Sequence, residues 1–164
     1  GVNGEYIFLV DEAHNLVERS REMYSASLYK EDFLAMKKLL KPYSKKLEKY
    51  CERCNKILLE LKRECENYRV LEHTGTLSFA LMTLADELSN FLQAPLEFAG
   101  RKEVLEFYFD IRMFMYIHDN LDENYMIYSE MEESGQFKVK LFCITRPKNM
   151  HKSYPNYYKT KTVW

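Results

Sequence analysis

An apolar run from Glu5 to Val10 stops abruptly at Asp11, as a buried strand does when it delivers a carboxylate at its carboxyl end. A helix is predicted to follow through about Met23, then a short extended piece at Ser25 to Tyr29. In Glu31 to Leu40 the apolar residues Phe33, Met36, Leu39 and Leu40 return at helical spacing. Pro42 then sits where the first turn of a second, longer helix tolerates it. Tyr43, Leu47, Tyr50, Cys54, Ile57 and Leu61 alternate four and three apart, a coiled-coil-like seam that predicts a helical arm running to about Tyr68.

Thr74-Gly75-Thr76 breaks that arm, and Leu77, Leu81, Leu84, Leu88 and Phe91 outline a third amphipathic helix that stops before Pro95. Gly100 marks the next boundary. Val104 to Ile117 is apolar on most sides and is predicted to be the central buried helix of a bundle, with Asp110 and Arg112 needing partners or an exposed edge. Tyr125 to Glu130 and Phe137 to Ile144 read as a hairpin about a Glu-Ser-Gly turn, with Phe137, Val139, Leu141 and Cys143 alternating against Lys138 and Lys140. The last twenty residues, with Pro147 and Pro155, read as a loop or short helix, and Thr162-Val163-Trp164 as the start of a strand.

The expected fold is therefore mainly α, a helical-bundle insertion, with a small β component formed by an N-terminal strand and a C-terminal hairpin, in the α+β class. Three segments are expected: 1–24 with the strand, its acids and a helix; 25–121 as the helical insertion; 122–164 as the hairpin and a return segment.

The 164 residues, 46% of them hydrophobic and 15% aromatic, supply enough apolar material for a core. A net charge of −1 with 30% charged residues argues against disorder and against a polyanion-binding charge on the whole molecule. The charge is nevertheless segregated. Lys30 to Arg63 carries eleven bases against five acids, whereas Leu84 to Glu133 carries twelve acids against three bases. The tail from Arg146 onward has five bases and no acid. No signal sequence opens the chain and no apolar run approaches the roughly 18 residues of a membrane span, so a soluble, cytoplasmic protein with no membrane partner is expected.

Asp11-Glu12-Ala13-His14 has two readings. Asp11 can cap a helix, with Glu12 favouring its positive end and His14 packing. Alternatively, Asp11 positions a magnesium ion through its waters and Glu12 handles an attacking water, with the strand as rigid mount. The wider context resembles the second. An apolar strand directly before the acids, then Asn15-Leu16-Val17-Glu18-Arg19 and Arg21-Glu22-Met23-Tyr24-Ser25, resembles motif II of superfamily-two DNA helicases of the XPD and DinG family.

That resemblance implies a Walker B role for Asp11 and Glu12 in holding Mg2+ and ATP, and a role for His14 in coupling hydrolysis to DNA binding. It covers about the first 25 positions in letters and the rest in layout. In that family a helical Arch domain follows motif II before the chain returns to the first motor domain and reaches a Ser-Ala-Thr element. Here Val139 to Ile144 looks like the re-entry strand. The chain holds no G-x-x-x-x-G-K-[ST] loop to cradle phosphates, so it is expected to be an Arch-region fragment of an ATP-dependent 5′-to-3′ helicase, inactive alone. The other reading is a helical protein-interaction module whose acidic middle and apolar helices dock a partner.

Cys51, Cys54, Cys65 and Cys143 are too few and too unevenly placed for a disulfide framework, and reduced thiols are expected. On one continuous helix Cys51 and Cys65 would lie about 21 Å apart, too far for a single cluster. Instead Cys51, Leu58 and Cys65 recur as small buried hydrophobes. The resembled family often carries a 4Fe–4S cluster whose cysteines precede motif II, which would put any such cluster upstream of Gly1, and no cofactor is expected within the chain itself.

Lys46, Lys49, Arg53, Lys56 and Arg63 share one face of the long helix, interrupted by Glu60. Such a row can neutralise successive phosphates of single-stranded DNA. It can equally be a solvated face laced with Glu48, Glu52 and Glu60. Tyr154, Tyr157 and Tyr158 lie among Lys152, Lys159 and Lys161 and either stack bases or pack a loop. His73, His118 and His151 have no ligand spacing that assigns them a role.

Overall fold

The computed structural model describes residues 18–19, 21–94 and 97–145. The strand expected before Asp11, most of the helix after it, and the prolines and tyrosines of the tail lie outside these residues; residues 18–19 and 21–23 are helical. The elements in order are β1 (Ala26–Tyr29), α1 (Lys30–Leu40), α2 (Lys45–Arg63), β2 (Tyr68–Leu71), α3 (Leu77–Gln93), α4 (Arg101–His118), β3 (Tyr125–Met131) and β4 (Phe137–Cys143). The fold is α+β and mainly helical, with one four-stranded antiparallel sheet in the order β1-β4-β3-β2.

The sheet is larger than the sequence pattern suggests. The hairpin β3–β4 forms its centre, and each flanking strand comes from the helical segment. Period-two alternation orients it: Phe137, Val139, Leu141 and Cys143 are fully buried beneath the helices, and Lys138, Lys140 and Phe142 stand on the opposite face. The Ser25 hydroxyl accepts from the Cys143 amide at 2.9 Å, which ties the entrance of β1 to the end of β4. Hairpin and helices thus share one sheet and one core.

The long arm is shorter than expected. Pro42 lies in a turn before α2, and Ser44 caps the helix by accepting from the Leu47 amide at 3.2 Å. The helix stops at Arg63, and Tyr68–Leu71 becomes β2 because its aromatic and β-branched residues pair with β3. Its buried face is also rotated from the expected seam: Leu47, Cys51, Cys54, Asn55 and Leu58 are inside, while Tyr50, Ile57 and Leu61 are only partly buried. Tyr43 lies outside the helix, 4.9 Å from the Phe98 ring.

Nor is α4 buried all round. Val104, Phe107, Ile111, Phe114 and Ile117 form a single buried stripe at spacings of three and four, and Asp110 and Arg112 lie on the exposed side. Successive helices pack on one another, α1 on α2, α2 on α3 and α3 on α4, and α4 closes on β1. Phe33 and Phe107 meet edge to face at 5.0 Å within this core. No described helix is long and apolar enough to cross a membrane.

Candidate nucleic-acid interface

Capping by Ser44 and burial of the Leu47–Leu58 stripe fix the rotation of α2, so its opposite face must meet solvent. Lys46, Lys49, Arg53, Lys56 and Arg63 are all exposed on it, as is Glu60 between them. From Lys49 to Arg63 the row extends about 21 Å along the helix axis at 1.5 Å per residue.

The carboxylates that could silence this face are largely engaged elsewhere. Glu52 receives a 2.8 Å hydrogen bond from Lys37 of α1, which holds its carboxyl below the usual range and raises Lys37. Glu48 is 3.7 Å from Lys41. Lys46 is the exception within the row: it donates to Glu87 of α3 at 2.5 Å, a bond that raises its pKa, and it lies 5.9 Å from the Tyr50 ring centroid. Lys49, Arg53, Lys56 and Arg63 form no ion pair among the described residues.

Between α1 and α2, Lys49, Arg53 and Lys56 line an open cleft of about 510 Å³ that Lys37, Glu48 and Glu52 complete. Four cations face two carboxylates there, so the cleft keeps a positive balance with its acids already occupied. Lys37 was not marked by the sequence pattern, which treated α2 as an isolated face. Its only signal was the basic last turn of α1, Lys37 and Lys38, a single loop before the row.

Asp11, Glu12 and His14 lie outside the described residues, as do Tyr154, Tyr157 and Tyr158. No protein-family model and no curated protein matches the chain.

The four cysteines are free and buried. Burial pushes the Cys51 and Cys54 thiols up to about 12, which removes their thiolate character at neutral pH. Cys65 lies beyond the end of α2, so its separation from Cys51 is not set by one helix; its thiol is 3.6 Å from the Ser129 carbonyl. The Cys143 thiol is 3.0 Å from the Thr145 carbonyl. Among the described residues no group of three or more His, Cys, Asp or Glu could hold a metal ion. His118 is engaged with the Thr74 hydroxyl at 2.9 Å and braces the loop before α3 against the end of α4.

Proposed function

We propose that the chain is the Arch-type region of an ATP-dependent DNA helicase similar to the XPD and DinG family, and that the exposed face of α2 guides single-stranded DNA. The observation that carries the DNA part is the row Lys49, Arg53, Lys56 and Arg63, which stays in solvent without ion pairs among the described residues while Glu52 and Glu48 are committed to Lys37 and Lys41, leaving Glu60 as the acid within the row. Long, flexible cations on one helix track phosphates without reading bases, so binding would be sequence-independent and sensitive to salt. The enzymatic part rests on Asp11-Glu12-Ala13-His14 and the residues after it.

In the intact enzyme Asp11 would hold Mg2+ and Glu12 would orient the hydrolytic water, with 5′-to-3′ translocation following from the resemblance. A carboxylate pair suits a hard divalent ion that keeps most of its own waters. Fluorescence anisotropy with labelled oligonucleotides of unrelated sequence tests the DNA part: similar low-salt binding of each supports it, and no binding at low salt removes it. The enzymatic part is tested in the encoding gene, where a phosphate-binding loop is expected upstream and Ser-Ala-Thr downstream.

The interaction-module reading is favoured by a different observation. Phe79 and Met82, one turn apart on α3, leave their side chains in solvent, Phe79 with 66% of its surface exposed. Capture of a protein partner that Phe79→Ser abolishes, with no DNA binding at any salt concentration, would replace the helicase reading.

A further inference from the structure

The sheet ends at β2, and beyond it no strand lies among the described residues. The direction in which β2 presents its backbone follows from two hydrogen bonds. The Met131 amide donates to the Asn67 carbonyl at 2.8 Å, and Tyr68 is opposite Glu130. In an antiparallel ladder, bonded and non-bonded pairs alternate, so Arg69 and Leu71 turn their N–H and C=O groups toward β3. Tyr68 and Val70 therefore turn theirs toward the open edge. The Ile144 amide, which donates to the Asn124 carbonyl at 2.7 Å, gives β3 the same phase from its other side.

The edge is only lightly protected. β2 is four residues long and carries one cation, Arg69, which is paired with Glu64, but it contains no lysine, proline or bulge, and Tyr68 and Val70 are 50% and 57% exposed. Where β2 stops, β3 continues, and a cleft of about 320 Å³ opens between Val70, Leu71, Leu121 and Met126. Two carboxylates, Glu72 and Asp122, stand on its rim, and no lysine or arginine lines it. An aliphatic wall with acids at the mouth matches the stem and head of a basic side chain.

We propose that this edge takes an extended peptide segment carrying lysine or arginine, which adds a fifth strand by pairing with Tyr68 and Val70 and places its cationic side chain in the cleft beside Glu72 and Asp122. Backbone pairing supplies the affinity and the acidic cleft the selectivity, a division of labour usual in strand addition. The inference concerns a surface formed by β2 and β3, and it stands whether or not α2 binds DNA.

The probe is a capped peptide of alternating lysine and valine, with a glutamate-for-lysine counterpart as control, titrated into the full chain while amide hydrogen exchange is followed. At about 90% occupancy the Tyr68 and Val70 amides should exchange about tenfold more slowly. Val70→Pro removes only an outward-facing donor, a change an edge strand tolerates, and it should abolish the effect. Glu72→Gln with Asp122→Asn should weaken the lysine peptide selectively. Unchanged exchange at Tyr68 and Val70 throughout the titration overturns the proposal, and equal protection by the glutamate peptide overturns the basic occupant. Protection that grows with protein concentration in the absence of peptide would show a second copy on the edge, and would overturn it too.

Discussion

Replacing Arg53 and Lys56 by glutamine tests whether the α2 row binds phosphates or is only solvated. Both side chains are exposed and form no ion pair among the described residues, so the double variant should unfold at the temperature of the parent chain. The effect on DNA follows from counterion release. If Lys49, Arg53, Lys56 and Arg63 each neutralise one phosphate, the slope of log Kobs against log salt for single strands is about −2.8, which is about a 50-fold loss of affinity between about 50 and 200 mM salt. Removing two of the four cations halves the slope to about −1.4, and the same change of salt then costs about sevenfold. Anisotropy titrations at several salt concentrations measure both slopes. Weaker binding with an unchanged slope would mean that the two residues do not touch phosphate, and an unchanged affinity would return the row to a solvated face. Lys46→Gln is an internal comparison: with its charge committed to Glu87, its loss should alter the slope less than the loss of Lys49 does.

Gly100 caps α4 with φ +96°, and a β-carbon there would come within 2.6 Å of Leu39, so Gly100→Ala should lower stability by about 1–2 kcal/mol, read as a shift in the denaturant midpoint. Cys51 and Cys54 should resist alkylation in the native protein at mildly alkaline pH and react once it is unfolded; rapid native labelling followed by peptide mapping to either residue would contradict their burial. Glu132 is held below its usual value of 4.5 by hydrogen bonds from Lys138, at 2.5 Å, and from Tyr29. The folded state therefore binds that proton less tightly than the unfolded chain, so the stability this contributes above about pH 4.5 is lost as pH falls through the lower folded value. Asp32, raised by burial and then by Glu31, acts in the opposite sense, stabilising at low pH and losing that contribution as pH rises through its raised value. Urea midpoints measured between about pH 3 and 6 should thus fall less steeply on the acid side in Glu132→Gln, and superimposable profiles would refute the assignment.

What could be read from the sequence divides along a physical line. Elements whose burial follows one period were legible: β4 alternates strictly, and the apolar residues of α3 recur three and four apart, so both appear close to their expected bounds. β2 was not, because Tyr68-Arg69-Val70-Leu71 is too short to show a period, and its state is decided by pairing with a strand about sixty residues later in the chain. The same non-local decision ends α2 at Arg63, although the apolar spacing through Leu61 would allow the helix to continue. The candidate DNA face has a similar history. Its cations could be located from spacing alone, but whether they were free depended on where Glu48 and Glu52 found partners, and those partners, Lys41 and Lys37, belong to the preceding helix and its end. A charge pattern on one helix fixes which residues share a face. The packing of the next helix decides which of those charges remain available to a ligand, and on this chain that step leaves Lys49, Arg53, Lys56 and Arg63 available and removes Lys46.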